Sequence, residues 1–449
     1  MTTNEPSRTQ WLGRWGFVLA ATGSAVGLGN IWKFPYMTGE YGGGAFVLVY
    51  LVCILSVGVP IMMTEIALGR RGRGSPIDAI RRVVTESGRS SGWSLLGWMA
   101  MLCGFLILSF YVVVAGWSFA YLWKMISGGL VGSSVDDMAA IFGANNANPF
   151  SLGGWSTLVT VATMVIVGKG VQQGIEKSVG WMMPGMVIML LIMIVYGMFS
   201  GGFGQAVHFL FDFKASSLSS EGMLAAMGHA FFTLAVGACA LMAYGAYMPD
   251  EQSLPKAAFA VAVLDISVAL LAGIAIFSVV FAQGMDPADG PGLMFVTLPI
   301  AFSELPWGSL WLSVFFLLLL LATWTSAINL AEPMVATLQG LGWRRSVSTA
   351  VVAISVWLLG LLSAFSFSTL AEFRPLLGRN VFELVSSIPP DIFLPLGGLL
   401  IATFASWVMP QALVVKALGV GDGGYVMWRN IVRWVSIPLT FIVLLGGLL

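Results

Sequence analysis

The sequence is short of charged residues. Only 9% of its 449 residues are Asp, Glu, Lys or Arg, whereas soluble proteins contain about 25%. Hydrophobic residues make up 58% of the chain, and the mean hydropathy is +0.90. A soluble globular protein is therefore excluded, and we expect a polytopic protein whose partner is the lipid bilayer. The formal net charge of zero gives no indication of nucleic-acid binding, and no such partner is expected.

Cysteine and histidine are also scarce. The three cysteines, Cys53, Cys103 and Cys239, lie in apolar runs, so we interpret them as reduced packing residues rather than a disulfide framework. The only histidines are His208 and His229, and no metal-ligand cluster or HExxH motif occurs. These absences argue against an intramembrane enzyme, and no enzymatic activity is expected.

Long apolar runs cover most of the chain. Stretches long enough to cross lipid fall at 12–37, 43–69, 95–126, 155–172, 178–200, 223–248, 256–284, 307–339, 347–369, 381–409 and 431–448. Eleven transmembrane helices are therefore predicted, after a cytoplasmic segment at residues 1–11. Lys and Arg cluster on one side, most densely in the loop after the second span. Because such loops stay in the cytoplasm, the N-terminus is predicted to be cytoplasmic and the C-terminus extracytoplasmic.

Two of these spans are interrupted. The first contains Gly23, Gly27 and Gly29, followed by Asn30, and each glycine weakens a helix by about 1 kcal/mol relative to alanine. A break in lipid leaves backbone N–H and C=O groups without partners, so it persists only where it is buried in protein or faces a polar ligand. The sixth span has a second break around Gly237. Matching breaks five helices apart predict an inverted repeat, with a site between its halves at the bilayer midplane.

The expected fold class is therefore an all-α polytopic membrane protein with a five-plus-five inverted repeat. The first repeat is predicted at 12–200 and the second at 223–409, with an eleventh helix at 431–449. Free carbonyl groups at the breaks suit a cation, and free N–H groups suit a carboxylate. The alternative is that the glycines only allow close helix packing, but two matched breaks favour a binding site.

The residues around the breaks resemble those of the neurotransmitter:sodium symporters. The resemblance is carried by residues 23–35, 39–46, 231–234, 325–328 and 395–399. It extends over the first ten spans, and the eleven-helix chain looks like the bacterial branch, which mostly imports amino acids with two sodium ions. The resemblance implies a symporter of the bacterial inner membrane that works by alternating access. A monomer would suffice for transport, with a dimer as an alternative.

The resemblance also implies two sodium sites. The second site would use carbonyl groups of the first span and hydroxyl groups of the eighth, namely Gly23, Val26, Ala322, Thr325 and Ser326. The first site would combine the substrate's carboxylate with Ala25, Asn30, Thr233 and Asp265. Taken alone, Thr325 and Ser326 would more simply bond back to carbonyl groups of their own helix.

Asp265 departs from the best-known relatives, which have asparagine there and, in some cases, a nearby chloride ion. An acid inside a membrane helix is costly and usually functional. At the chloride positions Tyr50 and Thr233 match the family, whereas His229 and Ala269 replace polar side chains. We therefore expect the Asp265 carboxylate to supply the negative charge and transport to be independent of chloride. Proton return on Asp265 is a further hypothesis.

The substrate's carboxylate is implied to lie on the N–H groups of Leu28 and Gly29, on the first sodium ion and on the Tyr111 hydroxyl. Its amine would face carbonyl groups near Ala25, Phe232 and Thr233. The side-chain pocket would be lined by Ser24, Ile107, Phe232, Ala235, Ala238, Ser326, Asn329 and Leu330. Ala238 stands where some relatives place a bulky aromatic, so we expect large hydrophobic or aromatic amino acids. Asn329 either bonds a polar tip of the substrate or packs between helices.

An outer gate is implied above the pocket, with Phe232 as its lid and Tyr111 beside it. The family's outer arginine is Lys33 here, and the matching acid position is Ser386. Lysine cannot form a bidentate fork with a carboxylate, so the gate is expected to be weaker or rearranged. The candidate partners of Lys33 are Glu383 and Asp391.

An inner latch is implied by Arg8, Trp11 and Tyr247, although the position of the latch acid is Gly340. Glu65 and Glu332, which lie within apolar runs, are assigned only structural polar contacts. Two alternatives to the amino-acid symporter remain: a transporter of another small zwitterion or osmolyte, and a non-transporting amino-acid sensor on the same fold.

Overall fold

The computed structural model describes residues 14–128, 140–141, 143–144, 147–288 and 293–448. Two predicted residues of the inner latch, Arg8 and Trp11, lie outside the described residues. The described chain is predominantly helical, and its only β-type pairing is an isolated bridge between Leu376 and Arg379.

The first half of the described chain begins with an interrupted helix. In chain order its helices are α1 (Arg14–Ala25), α2 (Phe34–Glu40), α3 (Gly44–Gly72), α4 (Pro76–Glu86), α5 (Ser91–Ile126), α6 (Pro149–Gly168) and α7 (Val171–Phe199). A wide π-helical turn, Gly29–Lys33, leads into α2.

The second half begins in a similar way, with an interrupted helix after a short connecting one. Its helices are α8 (Phe203–Phe211), α9 (Ser220–Thr233), α10 (Ala240–Ala246), α11 (Leu254–Ala282), α12 (Thr297–Ser303), α13 (Gly308–Gly340), α14 (Arg345–Phe365), α15 (Val381–Val408), α16 (Gln411–Leu418) and α17 (Asp422–Leu448).

Nine helices of the described chain are long and apolar enough to cross a membrane: α3, α5, α6, α7, α11, α13, α14, α15 and α17. With the two interrupted helices, α1–α2 and α9–α10, they occupy the positions of the predicted spans. The longest members are α5 with 36 residues and α13 with 33. Helix α5 is the third span of the first predicted repeat, and α13 is the third span of the second. The two helices pack against each other, and their matching positions agree with an internal repeat.

Some helices start earlier than their apolar runs. Helix α6 begins at Pro149 rather than 155, because Asn148 caps it by accepting hydrogen bonds from the N–H groups of Phe150 and Ser151, both at 3.1 Å. Helix α17 begins at Asp422 rather than 431. Hydropathy alone therefore does not mark the first residues of these two helices.

The second break has a strained backbone. Backbone φ is +50° at Ala235, +97° at Gly237 and +60° at Cys239, so the chain cannot continue as a right-handed helix between α9 and α10. A Cβ added to Gly237 would lie 2.4 Å from the carbonyl oxygen of Leu394 in α15. Glycine is therefore required at the centre of this break on both conformational and steric grounds.

Close packing at α3 gives a direct test of the fold. A Cβ added to Gly69 would lie 1.9 Å from the carbonyl oxygen of Met242 in α10, whereas a Cβ added to Gly185 in α7 would meet nothing within 4 Å. We expect Gly69→Ala to lower the thermal unfolding midpoint of the purified protein clearly. Gly185→Ala should leave it unchanged or raise it, because alanine is favoured over glycine in a helix by about 1 kcal/mol. Equal midpoints for the two variants would contradict the packing of α3 on α10.

Candidate functional site

Asp265 in α11 joins four helical segments at the centre of the protein. Its carboxylate accepts hydrogen bonds from Asn30 Nδ2 at 2.8 Å, from the Thr233 hydroxyl at 3.1 Å and from the Tyr50 hydroxyl at 3.3 Å. Asp265, Asn30 and Tyr50 have no solvent exposure, and Thr233 is 1% exposed. The structure thus brings together the three side chains predicted for the first sodium site, with Tyr50 as a fourth member.

Asn30 also stabilises the first break. Its Oδ1 accepts the N–H of Gly27 at 3.0 Å, and its Nδ2 donates to the backbone carbonyl of Asp265 at 3.0 Å. The two breaks lie against each other, since a Cβ added to Gly29 would lie 3.1 Å from the Cα of Thr233. A single buried amide therefore fixes the broken backbone of the first helix against α11, beside the end of α9.

The residues predicted for the second sodium site lie between α1 and α13. The Ser326 hydroxyl donates to the carbonyl oxygen of Val26 at 3.3 Å, which links the two helices directly. The Thr325 hydroxyl donates to Ala322 of its own helix at 2.9 Å. A Cβ added to Gly27 would lie 2.1 Å from Ser326 Oγ, so the first helix approaches α13 as closely as glycine allows. These hydroxyl and carbonyl oxygens are uncharged hard donors of the kind that bind alkali and alkaline-earth cations.

At the positions matched to the family's chloride site, the hydroxyl groups are already engaged in hydrogen bonds and Ala269 is apolar. The Tyr50 and Thr233 hydroxyls both donate to Asp265. His229 is buried among the rings of Phe34, Phe46 and Tyr50. Neither of its ring nitrogens has a hydrogen-bond partner in the described part of the protein.

The residues predicted to line the substrate pocket lie near the two breaks, and nearly all of them are buried. Ile107 and Tyr111 come from α5, and Phe232 is the penultimate residue of α9. The buried members are Ser24, Ala25, Leu28, Gly29, Ile107, Tyr111, Phe232, Thr233, Ala238, Ser326, Asn329 and Leu330, while Ala235 is half-buried. Asn329 Oδ1 accepts a hydrogen bond from the Tyr244 hydroxyl of α10. This amide therefore bridges two helices, as the packing alternative predicts.

Glu65, for which the sequence predicts only structural polar contacts, makes such contacts at the second break. It lies fully buried in α3, and its Oε1 accepts the N–H of Gly237 at 3.0 Å and that of Cys239 at 3.3 Å. Glu65 thereby supplies a hydrogen-bond acceptor for N–H groups that have lost their helical partners at the second break. Asp265 and Asn30 play the corresponding part at the first break. The signal for these contacts is an acid within an apolar run, which is costly unless it has a specific task.

On the predicted outer side, Lys33 does not form an ion pair with either candidate acid. Its ammonium group lies 4.6 Å from the centre of the Phe232 ring, a cation–π contact. Glu383 instead caps its helix together with Asn380 and lies 3.8 Å from Arg374. Asp391 forms no ion pair within the described ranges. Lys33 therefore contacts an aromatic ring in place of the acidic partner that the sequence predicts.

A cavity of about 370 Å³ adjoins Lys33 and Phe232. Its lining is largely aromatic and consists of Trp32, Lys33, Tyr36, Phe110, Trp117, Phe232, Phe295, Phe367, Phe382 and Ser386. Ser386, the position where the family has an acid, faces the same cavity.

On the predicted inner side, Tyr247 donates to Glu332 Oε1 at 3.4 Å, and Arg345 binds Glu332 Oε2 at 2.5 Å. Glu332 is therefore part of a network that joins the end of α10 to α13 and α14. At Gly340, the position of the family's latch acid, an added Cβ would lie 2.5 Å from Asp78 Oδ2 in α4. An acid is present at this position in space, but it comes from a different helix.

Two broken helices that meet around a buried carboxylate, beside a hydroxyl-lined contact between α1 and α13, define a secondary transporter of the inverted-repeat class. The profile described as "Sodium:neurotransmitter symporter family" matches residues 8–139 and 152–371. The chain belongs to this family. The expected five-plus-five fold and the resemblance drawn from the breaks are thereby confirmed.

Individual relatives agree with this assignment. The chain is 34% identical, over 99% of both sequences, to "Uncharacterized sodium-dependent transporter YhdH" of Bacillus subtilis (strain 168). It is 25% identical to the "Sodium- and chloride-dependent taurine transporter" of Rattus norvegicus, over 79% of this chain and 65% of the relative. Among solved structures, that of MhsT in complex with L-phenylalanine has a TM-score of 0.89 at 39% identity and covers 98% of this chain and 100% of MhsT.

The role of Glu65 can be tested with two substitutions. Glu65→Gln keeps an oxygen that accepts the N–H groups of Gly237 and Cys239, whereas Glu65→Ala leaves both donors unpaired. An unsatisfied buried donor costs roughly 1–3 kcal/mol, so the alanine variant should lose ligand binding or unfold at a clearly lower temperature. The glutamine variant should stay close to the unchanged protein in both assays. Equal losses in the two variants would show that the charge of Glu65, and not its acceptor oxygen, is what matters.

Proposed function

We propose that this chain is a sodium-coupled symporter that imports large hydrophobic or aromatic amino acids by alternating access. The single observation that carries the proposal is the junction at Asp265. There a buried carboxylate, an amide and a hydroxyl group converge where the two broken helices touch. In the proposed topology the N-terminus is cytoplasmic and the C-terminus is extracytoplasmic.

Coupling follows from the position of the junction. A sodium ion held by Asp265, Asn30 and Thr233 would lie beside the N–H groups of Leu28 and Gly29, where the amino acid's carboxylate is proposed to bind. Ion and solute would then each stabilise the other, because opposite charges attract strongly in a site that excludes water. A second ion between α1 and α13 would hold the first broken helix against α13.

Two sodium ions would supply enough free energy for concentrative uptake. Each releases about 2.3 kcal/mol on moving down 100 mV and about 1.4 kcal/mol for a tenfold concentration gradient. Two ions therefore release about 7.4 kcal/mol, which corresponds to roughly 10⁵-fold accumulation of a zwitterion.

The size of the proposed substrate follows from a small residue at the second break. Ala238 stands in the proposed pocket where some relatives place a bulky aromatic residue, so a large side chain of the substrate would fill that space. Burial of apolar substrate surface contributes about 25 cal/mol per Å², so a large side chain gains more than glycine would. The similarity to MhsT, whose structure contains L-phenylalanine, supports the same substrate class.

Uptake into proteoliposomes tests the proposal directly. We expect labelled L-phenylalanine to accumulate under an inward sodium gradient and not when choline replaces sodium. Unlabelled leucine or tryptophan should compete for this uptake far better than glycine. Stronger competition by glycine would overturn the substrate class, and sodium-dependent binding without any flux would favour a sensor instead of a transporter.

Chloride independence gives a second, separate prediction. The hydroxyls of Tyr50 and Thr233 already bond the Asp265 carboxylate, so we expect replacement of chloride by gluconate to leave uptake unchanged. Asp265→Asn preserves the shape of the side chain but removes its charge. Loss of one partner of a buried ion pair costs about 3–5 kcal/mol, so sodium-driven uptake by this variant should fall at least tenfold. Uptake by the unchanged protein that stops in gluconate would contradict the assignment.

A further inference from the structure

We propose that Tyr244 and Asn329 form a positioning pair that couples the second sodium site to the inner half of the second broken helix, α10. The inference rests on the proposed function, because it assumes that sodium binds between α1 and α13. It assigns Asn329 a task in ion coupling instead of contact with the substrate.

Asn329 lies directly below the proposed ion ligands on α13. It follows Thr325 by four residues and Ser326 by three, so the three side chains share one face of the helix. Asn329 is one turn nearer to the predicted cytoplasmic end, and it has no solvent exposure. A displacement of the Asn329 amide would therefore also displace the face of α13 that is proposed to hold the ion.

The oxygen of this amide is held by α10. Asn329 Oδ1 accepts a hydrogen bond from the Tyr244 hydroxyl, and Tyr244 is also fully buried. Water is not available to replace either partner, so a lost bond leaves a buried polar group unsatisfied. The bond thus ties the inner half of the second broken helix to α13 at the level just below the proposed sodium ion.

The nitrogen of the same amide faces the first broken helix. A Cβ added to Gly23, one of the proposed carbonyl ligands, would lie 3.2 Å from Asn329 Nδ2. This nitrogen has no hydrogen-bond acceptor in the described part of the protein, although it is fully buried. One side chain of α13 therefore bonds α10 through its oxygen and packs on α1 through its nitrogen.

This arrangement links sodium binding to closure on the predicted cytoplasmic side. The ion would hold the carbonyl groups of Gly23 and Val26 against α13, while Tyr244 and Asn329 hold α10 against the same helix. A cytoplasmic opening must separate both inner halves from α13. Loss of the Tyr244 bond would favour the open form, from which sodium leaves, and would so lower the apparent sodium affinity.

The test is a sodium titration of thermal stability on the purified full-length protein, at constant ionic strength with choline as the replacement cation. We expect Tyr244→Phe and Asn329→Leu each to raise the sodium concentration that gives half-maximal stabilisation. The shift should be roughly two- to tenfold, the range that corresponds to one net hydrogen bond. The double variant should show no larger shift than the single variants, because all three lack the same bond.

Tyr121→Phe is the matched control. Tyr121 is also fully buried, and its hydroxyl donates to the backbone oxygen of Phe295 at 3.2 Å. This variant should leave the sodium midpoint unchanged even if it lowers the overall stability. Should Asn329→Leu fail to fold, Tyr244→Phe still decides the matter.

The outcomes separate the two proposals. If sodium does not stabilise the unchanged protein at all, the proposed sodium-coupled function fails. If sodium stabilises the unchanged protein but Tyr244→Phe has the same sodium midpoint as Tyr121→Phe, only the positioning pair is overturned. Additive shifts in the double variant would also contradict the pair, since they would mean that the two residues act separately.

Discussion

Backbone groups released inside a membrane must find partners within the protein, and the rest of this structure depends on how that constraint is met. Asn30 and Asp265 organise the first break, and Glu65 accepts two N–H groups of the second. Each of these side chains belongs to a helix that packs on a break or to the break itself. The polar residues of the core are thus a consequence of interrupting two helices, and they place the site at the interruption.

The same constraint explains why ion, solute and conformation are linked in the proposed mechanism. Without a bound ion, the oxygen atoms at Asp265 and at the Ser326–Val26 contact take part in hydrogen bonds within the protein. In the proposed mechanism the same oxygen atoms bind the cation. Binding therefore changes the partners of groups that hold the helices together. Two further contacts differ in chemistry: Lys33 lies over the ring of Phe232, whereas Arg345 forms an ion pair with Glu332.

Local sequence predicted the features that depend on local chemistry. Clustered glycines marked the first break, Gly237 marked the second, and an acid in an apolar run marked Asp265. Contacts between helices that lie far apart in the sequence could not be predicted from local residues. Nothing in the sequence near Gly340 indicates that Asp78 of α4 fills the space beside it, and nothing near Asn329 indicates Tyr244. The sequence predicts Glu383 as a candidate partner for Lys33, but Glu383 forms a cap with Asn380, and that cap depends on where α15 begins.

The most direct test of the account is an experimental structure of the protein solved in sodium with L-phenylalanine. We predict density for an ion in contact with the Asp265 carboxylate and the Thr233 hydroxyl and beside the Asn30 side chain, with the ligand's carboxylate on the same ion. Uninterrupted helices at residues 26–28 and 234–239, or a ligand bound far from Asp265 with no ion beside it, would contradict the account.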